Sequence, residues 1–245
     1  MQHSQQKSPG IALDFSRRSE LDELMDDPYV EHRELQDGLD GLARVNGLLG
    51  GYGPSIGGVE ALLEDRRSFS LLDVGTGSAD TPRRLAIWAE GRGLDAYIEG
   101  IDIHPATVEY ARQQSVGFHN IQVKLRDVFE IPEDDRFDIV HAALVLHHFN
   151  DREAVEVLRK MYDTCTVGLV INDLHRHPIA YYGSRVLLPL ISRNRLVRHD
   201  GPVSVLRAFK RRELRELADR AGLPVPEINW TPLFRWQMII RRDTP

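Results

Sequence analysis

One stretch of the chain constrains its fold more than any other. The run Ser70-Leu71-Leu72-Asp73-Val74 has the apolar character of a buried strand, and Gly75 and Gly77 follow it directly. Glycine adopts positive φ without strain and lets the backbone approach a ligand closely. Thr81-Pro82 then predicts the start of a helix, because proline fits the first helical turn. A strand, a glycine turn and a helix in this order predict an α/β unit with a turn that can bind a ligand.

Asp80 indicates which ligand suits this turn. In the dinucleotide fingerprint G-x-G-x-x-G the third glycine would stand at position 80, where the pyrophosphate meets the helix N-terminus. A carboxylate at Asp80 would repel a diphosphate, but it would attract a ligand that carries an ammonium and a sulfonium group. The alternative is a structural turn that binds nothing.

Acidic residues also stand at the ends of the next two predicted strands. Asp102 ends the second strand, and Asp127 follows the third. An acid in such a place can accept both hydroxyls of a ribose, a role that we assign to Asp102 with Ile103 beside the adenine. Asp127 would accept from the adenine amino group while the Val128 amide donates to the ring. Each acid alone could be a helix cap or a turn residue, but acids at three successive strand ends favour a nucleoside ligand.

Predicted strands and helices alternate from residue 70 onward. Strands are expected near 70–75, 97–103, 121–125, 137–143 and 167–173, with helices near 82–91, 105–115 and 151–163. A later helix and two short strands are expected near 210–221, 226–230 and 235–241. This alternation predicts a doubly wound, mainly parallel sheet.

Four motifs follow one another in the order found in a known family. They are Asp-Val-Gly-Thr-Gly-Ser, Gly-Ile-Asp-Ile-His-Pro, Arg-Asp-Val and Leu-His-His-Phe, which begin at residues 73, 100, 126 and 146. On these motifs the chain, over about residues 68–242, resembles the small-molecule branch of class I S-adenosylmethionine (SAM) methyltransferases. That branch contains ubiquinone and menaquinone C-methyltransferases and natural-product O-methyltransferases. Ala79 stands where many members carry glycine, a change that should tighten the turn without excluding the cofactor.

The resemblance implies a Rossmann-like sheet of seven strands, mostly parallel with an antiparallel last strand. It also implies SAM as the cofactor and S-adenosylhomocysteine as the product. The residues expected to bind the cofactor are Asp73, Gly75, Thr76, Gly77, Asp80, Asp102, Ile103, Asp127, Val128 and Ala143.

The N-terminal part of the chain is expected to lie outside the sheet. Apolar residues at helical spacing predict two helices in residues 19–49, with a break near Asp27-Pro28. Residues 1–12 have the composition of a disordered tail. The expected division is a tail with lid helices at 1–68 and a SAM-binding methyltransferase domain at 69–245, with a substrate insertion at 174–208.

His147 and His148 follow the fourth predicted strand, and Asp173 lies near the end of the fifth. These strands are neighbours in the implied fold, so Asp173 should lie within hydrogen-bond reach of one histidine. A His–Asp pair is a proton acceptor whose tautomer and orientation are fixed. We therefore expect His147, His148 and Asp173 to be catalytic. The alternative is that the histidines cap the following helix or fill the core.

Methyl transfer mainly needs alignment of the acceptor with the activated methyl group, helped by removal of the acceptor's proton. We expect transfer to a hydroxyl of a small, largely apolar aromatic or enolic acceptor, of the secondary-metabolite or polyketide type. C-methylation of a quinol or polyketide ring is the alternative, and a SAM-binding protein without transfer activity is a third. The paired acids of metal-dependent, catechol-type enzymes are not reproduced, so we expect no metal.

The composition limits the partners of the chain. The net charge of −6 argues against a nucleic-acid partner. The single cysteine, Cys165, allows no internal disulfide and fits a reducing compartment. The polar start, Met1 to Lys7, is followed by no apolar segment, so we expect no signal peptide, no integral membrane association and a cytoplasmic location. We expect a monomer or a weak homodimer.

The predicted insertion combines an apolar run, Val186 to Ile191, with several arginines that have almost no acidic neighbours in the sequence besides Asp200. The simpler interpretation is a lid helix packed on the N-terminal helices, with a solvated basic edge. The alternative is an apolar acceptor pocket with a basic mouth. Such a mouth would suit a carboxylated, phosphorylated or carrier-bound acceptor, or an anionic membrane surface.

Overall fold

A computed structural model describes residues 14–27 and 29–242, so the predicted tail at residues 1–12 lies outside the described residues. One sheet is formed by β1 (Ser68–Val74), β2 (Asp95–Asp102), β3 (Ile121–Leu125), β4 (Phe137–Ala143), β5 (Cys165–Leu174), β6 (Glu227–Thr231) and β7 (Arg235–Arg241). The helices are α1 (His32–Leu48), α2 (Gly53–Leu63), α3 (Asp80–Gly91), α4 (Pro105–Gln114), α5 (Asp151–Thr164), α6 (Pro178–Ile191), α7 (Arg195–Arg207) and α8 (Arg211–Arg220).

The strand order shows where a ligand can bind. The strands lie in the order β3-β2-β1-β4-β5-β7-β6. β7 pairs antiparallel with β5 and β6, and the other pairs are parallel. The order reverses between β1 and β4, and ligands of open α/β sheets bind beyond the carboxyl ends of the strands at such a point. The predicted doubly wound sheet of seven strands is confirmed.

Helices cover both faces of the sheet, so side chains on both faces of the central strands are buried. These strands are therefore continuous apolar runs. Leu71 and Leu72 of β1 point to opposite faces, and both are fully buried. Leu72 belongs to a cluster with Leu158 of α5, whereas Leu71 belongs to a cluster with Leu62 of α2. Cys165 is buried at the start of β5.

The segment before the sheet differs from its prediction. The sequence predicts two helices in residues 19–49, whereas the structure has α1 and only a three-residue 3-10 turn at Leu24–Asp26. The Asp200 carboxylate accepts from the first two N–H groups of this turn, at 2.8 and 3.0 Å. Asp27 is extended, because a helical conformation is disfavoured before proline. Asp200 of α7 therefore binds the N–H groups that a helix over this segment would use for its own hydrogen bonds.

α1 packs against the insertion that follows β5. Val45 of α1, Leu188 of α6 and Val197 of α7 belong to one buried cluster. A Cβ at Gly41 would lie 2.8 Å from Val197 Cγ2, so the close approach of α1 and α7 requires glycine at this position. The two appendages thus form one packed layer. None of the described helices is long and apolar enough to cross a membrane.

Candidate active site

The glycine turn after β1 has the conformation that its sequence predicts. Gly75 and Gly77 have φ of +65° and +55°. A Cβ at Gly75 would lie 2.5 Å from Val145 Cγ2, so a larger residue would displace the loop after β4. Ala79 is also left-handed, with φ of +57°, and this conformation costs a residue with a Cβ about 1 kcal/mol. The alanine therefore carries strain that a glycine would avoid.

Asp73 supports the turn from inside the protein. Its carboxylate accepts from Thr76 Oγ1 at 2.7 Å and lies 2.6 Å from His141 Nδ1. His141 Nε2 in turn lies 2.8 Å from Ser55 Oγ, and all four side chains are buried. This Asp–His–Ser arrangement therefore has no access to a substrate. The side chains of Asp73 and Thr76, which the resemblance implies bind the cofactor, are buried and hold the turn in place.

The predicted ribose residue, Asp102, lies against the glycine turn. Its two oxygens accept from the N–H groups of Gly77 at 3.1 Å and His104 at 3.0 Å. Burial raises the pKa of the Asp102 carboxyl above its usual value. The neighbouring Ile103 is 59% exposed, which is unusual for an apolar side chain. The structure thus brings Gly77, Asp102 and Ile103 together at one edge of the sheet.

The other residues expected to bind the cofactor lie at the ends of β3 and β4. Asp127 accepts from Phe129 N–H at 2.9 Å and caps the 3-10 turn Val128–Glu130. The Val128 side chain is buried, whereas Ala143 is half-buried at the end of β4. Asp127 therefore forms a cap, the alternative role that the sequence analysis gives it.

Asp80 connects the turn to the helices before the sheet. Its Oδ2 accepts from the Tyr52 hydroxyl at 2.8 Å and from the Asn46 amide at 3.4 Å. Burial and the Asp80 carboxylate raise the pKa of Tyr52. Arg235 of β7 is buried and donates to Asn46 Oδ1 at 2.8 Å. Sequence reasoning missed Asn46, Tyr52 and Arg235, because only tertiary packing brings these three residues to Asp80.

The histidine pair follows β4 in a short 3-10 turn, Leu146–His148. As expected, His147 meets Asp173, with 2.6 Å between ring Nδ1 and Oδ1. Neither histidine caps the next helix, because the Asn150 side chain accepts from the N–H groups of Arg152 and Glu153 in the first turn of α5. Burial disfavours the charged imidazole ring, but the carboxylates of Asp173 and Glu23 outweigh it and raise the pKa of His147 to about 10.

Glu23 and Asp26 surround the histidines from the N-terminal segment, and sequence reasoning missed both. Glu23 is 6% exposed, with Oε1 3.4 Å from His147 Nε2 and Oε2 3.8 Å from His148 Nε2. Asp26 Oδ2 lies 3.1 Å from His148 Nδ1, although the two residues are 122 positions apart in the chain. No short motif indicates so distant a contact. The segment before α1 therefore covers the histidine pair.

The arginines of the insertion are more paired than the sequence suggests. Arg195 donates twice to the Glu34 carboxylate of α1, at 2.6 and 2.9 Å. Arg207 donates to the main-chain carbonyls of Leu21 at 3.0 Å and His148 at 2.7 Å. The alternative interpretation, a basic mouth, thus loses two of its cations to structural contacts. The interpretation as a packed insertion describes both residues better.

Residues 65–181 match the family model described as a methyltransferase domain. This range contains the glycine turn, the acids that follow β2 and β3, and the histidine pair with Asp173. Among curated protein sequences the chain has no significant match.

Solved structures share the fold at low sequence identity. Human N-acetylserotonin methyltransferase in complex with SAM matches 88% of this chain, with a TM-score of 0.65 and 18% identity. This chain spans 58% of the length of that human enzyme. An O-methyltransferase family 2 protein from Planctomyces limnophilus, in complex with apigenin, has a TM-score of 0.54 and 15% identity, over 71% of this chain and 51% of the other. The CMeT domain of the citrinin polyketide synthase has a TM-score of 0.54 and 11% identity, over 71% of this chain and 46% of the other.

Proposed function

We propose that this chain, which has the fold of SAM-dependent methyltransferases and a methyltransferase domain at residues 65–181, methylates a hydroxyl of a small acceptor. The methyl donor is SAM, and the product of the donor is S-adenosylhomocysteine. The acceptor is a largely apolar aromatic or enolic molecule of the secondary-metabolite or polyketide type. One observation carries this proposal: Asp173 holds His147 beyond the end of β4, the strand that pairs with β1 and so borders the glycine turn.

The cofactor would lie across the carboxyl ends of β1 and β2. Gly75 and Gly77 allow its close approach, and Asp102 would accept from the ribose hydroxyls. Asp80, which already accepts from the Tyr52 hydroxyl, would face the ammonium group of SAM. The contact between Gly77 and Asp102 supports this placement, because it joins the turn and the ribose residue in one unit.

Methyl transfer forms one bond, breaks another and moves one proton. The acceptor oxygen forms a bond to the methyl carbon while the carbon–sulfur bond breaks, so the sulfonium becomes a neutral thioether. The proton of the hydroxyl passes to His147 Nε2, and Asp173 stabilises the charged imidazole ring. A phenol with a pKa of about 10 is mostly protonated at neutral pH, so the base increases the reactive fraction. Alignment of oxygen and methyl group contributes the rest, and the sulfonium needs no metal to activate it.

Glu23 lies where the acceptor hydroxyl would have to approach His147. While its carboxylate remains 3.4 Å from Nε2, the ring stays protonated and cannot accept a proton. We infer that the Glu23 side chain turns away as the acceptor enters, so that the hydroxyl replaces its carboxylate beside His147. The layer of α1, α6 and α7 would then close over the acceptor as a lid.

C-methylation is the second candidate function. The similarity to a CMeT domain of a polyketide synthase favours it, since that domain shares the fold. The same His147–Asp173 pair would remove a proton from a ring hydroxyl, and the bond to methyl would form at the adjacent ring carbon.

The experiment uses SAM with a 13C-labelled methyl group and a panel of phenols and enols. Mass spectrometry detects transfer, and the carbon chemical shift distinguishes an O-methyl from a C-methyl product. Methyl on oxygen supports the first function, and methyl on carbon supports the second. SAM binding without any product across the panel would favour a binding protein without transfer activity.

Three further expectations accompany the proposal. The partner is a small molecule and not a nucleic acid, since the net charge is −6. The protein acts as a monomer or a weak homodimer, and it acts in the cytoplasm.

A further inference from the structure

Three side chains with metal-binding atoms converge at the histidine pair. Glu23, His147 and His148 each offer one ligand atom, and these atoms lie within 4.8 Å of one another. The Nε2 atoms of both rings face the same carboxylate, at 3.4 and 3.8 Å. The ring centroids are 4.5 Å apart. The three groups therefore surround one small space.

One oxygen of the Glu23 carboxylate makes no hydrogen bond within the described part of the chain, although His147 Nε2 lies 3.4 Å from it. Glu23 Oε1 is buried and makes no hydrogen bond to any residue of 14–27 or 29–242. Burying a polar atom without a partner costs roughly 1–3 kcal/mol, and more for a charged group. The Arg207 guanidinium stays 3.9 Å away and donates to main-chain carbonyls. A cation between Glu23 and the two imidazole rings would satisfy this oxygen.

Two further carboxylates hold the opposite nitrogens of the rings. His147 Nδ1 lies 2.6 Å from Asp173 Oδ1, and His148 Nδ1 lies 3.1 Å from Asp26 Oδ2. A carboxylate that accepts from Nδ1–H leaves the lone pair on Nε2 and orients it, as is usual for histidines that bind metals. In the neutral form of the two rings, both lone pairs then point toward Glu23. That arrangement is repulsive unless a proton or a metal ion lies between the groups.

We propose that Glu23, His147 and His148 bind one divalent first-row transition metal ion. Two imidazoles and a carboxylate suit such an ion better than Mg²⁺ or Ca²⁺, which prefer oxygen ligands. Ligand atoms at about 2.0–2.2 Å from a tetrahedral Zn²⁺ lie about 3.4 Å from one another. The distances from the Glu23 oxygens to the two rings, 3.4 and 3.8 Å, are close to this value. Three protein ligands leave one position for water.

The ion would inhibit methyl transfer and would not assist it. It would occupy the lone pair of His147 Nε2 that the proposed base uses, and it would hold the segment before α1 over the histidines. Glu23 lies outside residues 65–181, the range that matches the methyltransferase domain. The site therefore depends on the N-terminal segment of this chain.

Calorimetric titration of Zn²⁺ into the full-length, chelator-treated protein tests the site without SAM or acceptor. We expect one ion per chain. Glu23→Gln conserves size but removes the charged ligand, so Zn²⁺ affinity should fall about tenfold or more. His148→Ala should have the same effect, and its side chain is 30% exposed, so the variant should fold. The matched control is His119→Ala, which removes an exposed histidine just before β3 and should leave the affinity unchanged.

Co²⁺ gives a second readout, because its visible absorption bands report the ligands directly. The bands should appear with the wild type and with His119→Ala, and they should be lost in Glu23→Gln. Absence of saturable binding of one Zn²⁺ per chain would overturn the proposal. Wild-type affinity and Co²⁺ bands in folded Glu23→Gln and His148→Ala would overturn it as well.

Discussion

Asp173 holds His147 at two points, with Oδ1 2.6 Å from the ring Nδ1 and Oδ2 accepting from the main-chain N–H of the histidine at 3.1 Å. The sheet places them side by side, because β4 and β5 are paired parallel neighbours. One carboxylate thus fixes both the backbone position and the ring of the histidine. A general base needs this kind of preset orientation.

Asp173→Asn should lower turnover by roughly 10²–10⁴, because an amide cannot stabilise the charged ring as a carboxylate does. SAM affinity should stay nearly unchanged, and steady-state kinetics with calorimetry measures both. Asn150→Ala is the matched control, since it removes the cap of α5 and should cost about 1 kcal/mol of stability. Equal turnover of the two folded variants would mean that Asp173 is only structural.

Asp102→Ala should weaken SAM binding about tenfold or more. Two hydrogen bonds to the ribose would be lost, each contributing about 0.5–1.5 kcal/mol. Calorimetry with SAM and S-adenosylhomocysteine measures the change. Asp95→Ala removes an exposed acid at the other end of β2 and should bind like the wild type. An unchanged affinity in Asp102→Ala would place the ribose elsewhere.

Glu23→Gln should change the pH dependence of kcat/KM, which reports the free enzyme. His147 accepts a proton only when its ring is neutral. Burial opposes the charge, but Asp173 and Glu23 raise the pKa of His147 to about 10, so in chelator-treated protein kcat/KM should rise up to that pH. Removing the Glu23 charge lowers this pKa, and the rising limb should shift toward neutral pH.

Glu34→Gln is the control for this shift, because Glu34 pairs with Arg195 on the surface of α1 and α7. Its pH profile should follow the wild type. A Glu23→Gln profile that coincides with the wild-type profile would show that Glu23 does not control the proton on His147.

Hydrogen exchange should reveal closure of the lid. Val45, Leu188 and Val197 already pack together, so residues 19–49 and 174–208 should gain protection as one unit when S-adenosylhomocysteine and acceptor bind. Mass spectrometry of peptides from both segments measures this change. Protection that is confined to residues 70–130 would count against a lid.

Local sequence patterns predicted a doubly wound, mainly parallel sheet, and the family resemblance implied its seven strands with an antiparallel last strand. Leu71 and Leu72 are adjacent apolar residues that face opposite sides, which identifies a strand buried on both faces. The glycines at 75 and 77 indicated the turn, because only a residue without a Cβ adopts positive φ without strain. The meeting of His147 with Asp173 followed from the adjacency of two strands in the implied fold.

Contacts between distant segments could not be predicted in this way. Leu21, Leu24 and Met25 have helical spacing, yet the segment forms only a short turn, because Asp200 accepts from its N–H groups. The contact of Glu23 with His147 also has no local signal. This contact depends on the packing of α1 against α7. In the sequence, that packing is visible only as a pattern of small and apolar residues.

Methylation rates of wild type and His147→Ala with phenols of graded acidity test the proposed methyl transfer most directly. The wild type should methylate oxygen in both weakly acidic and acidic phenols. His147→Ala should lose roughly 10²–10⁴ in rate with a weakly acidic phenol and regain most of it with a phenol that is already ionised. If folded His147→Ala binds SAM and methylates the weakly acidic phenol at the wild-type rate, His147 is not the base.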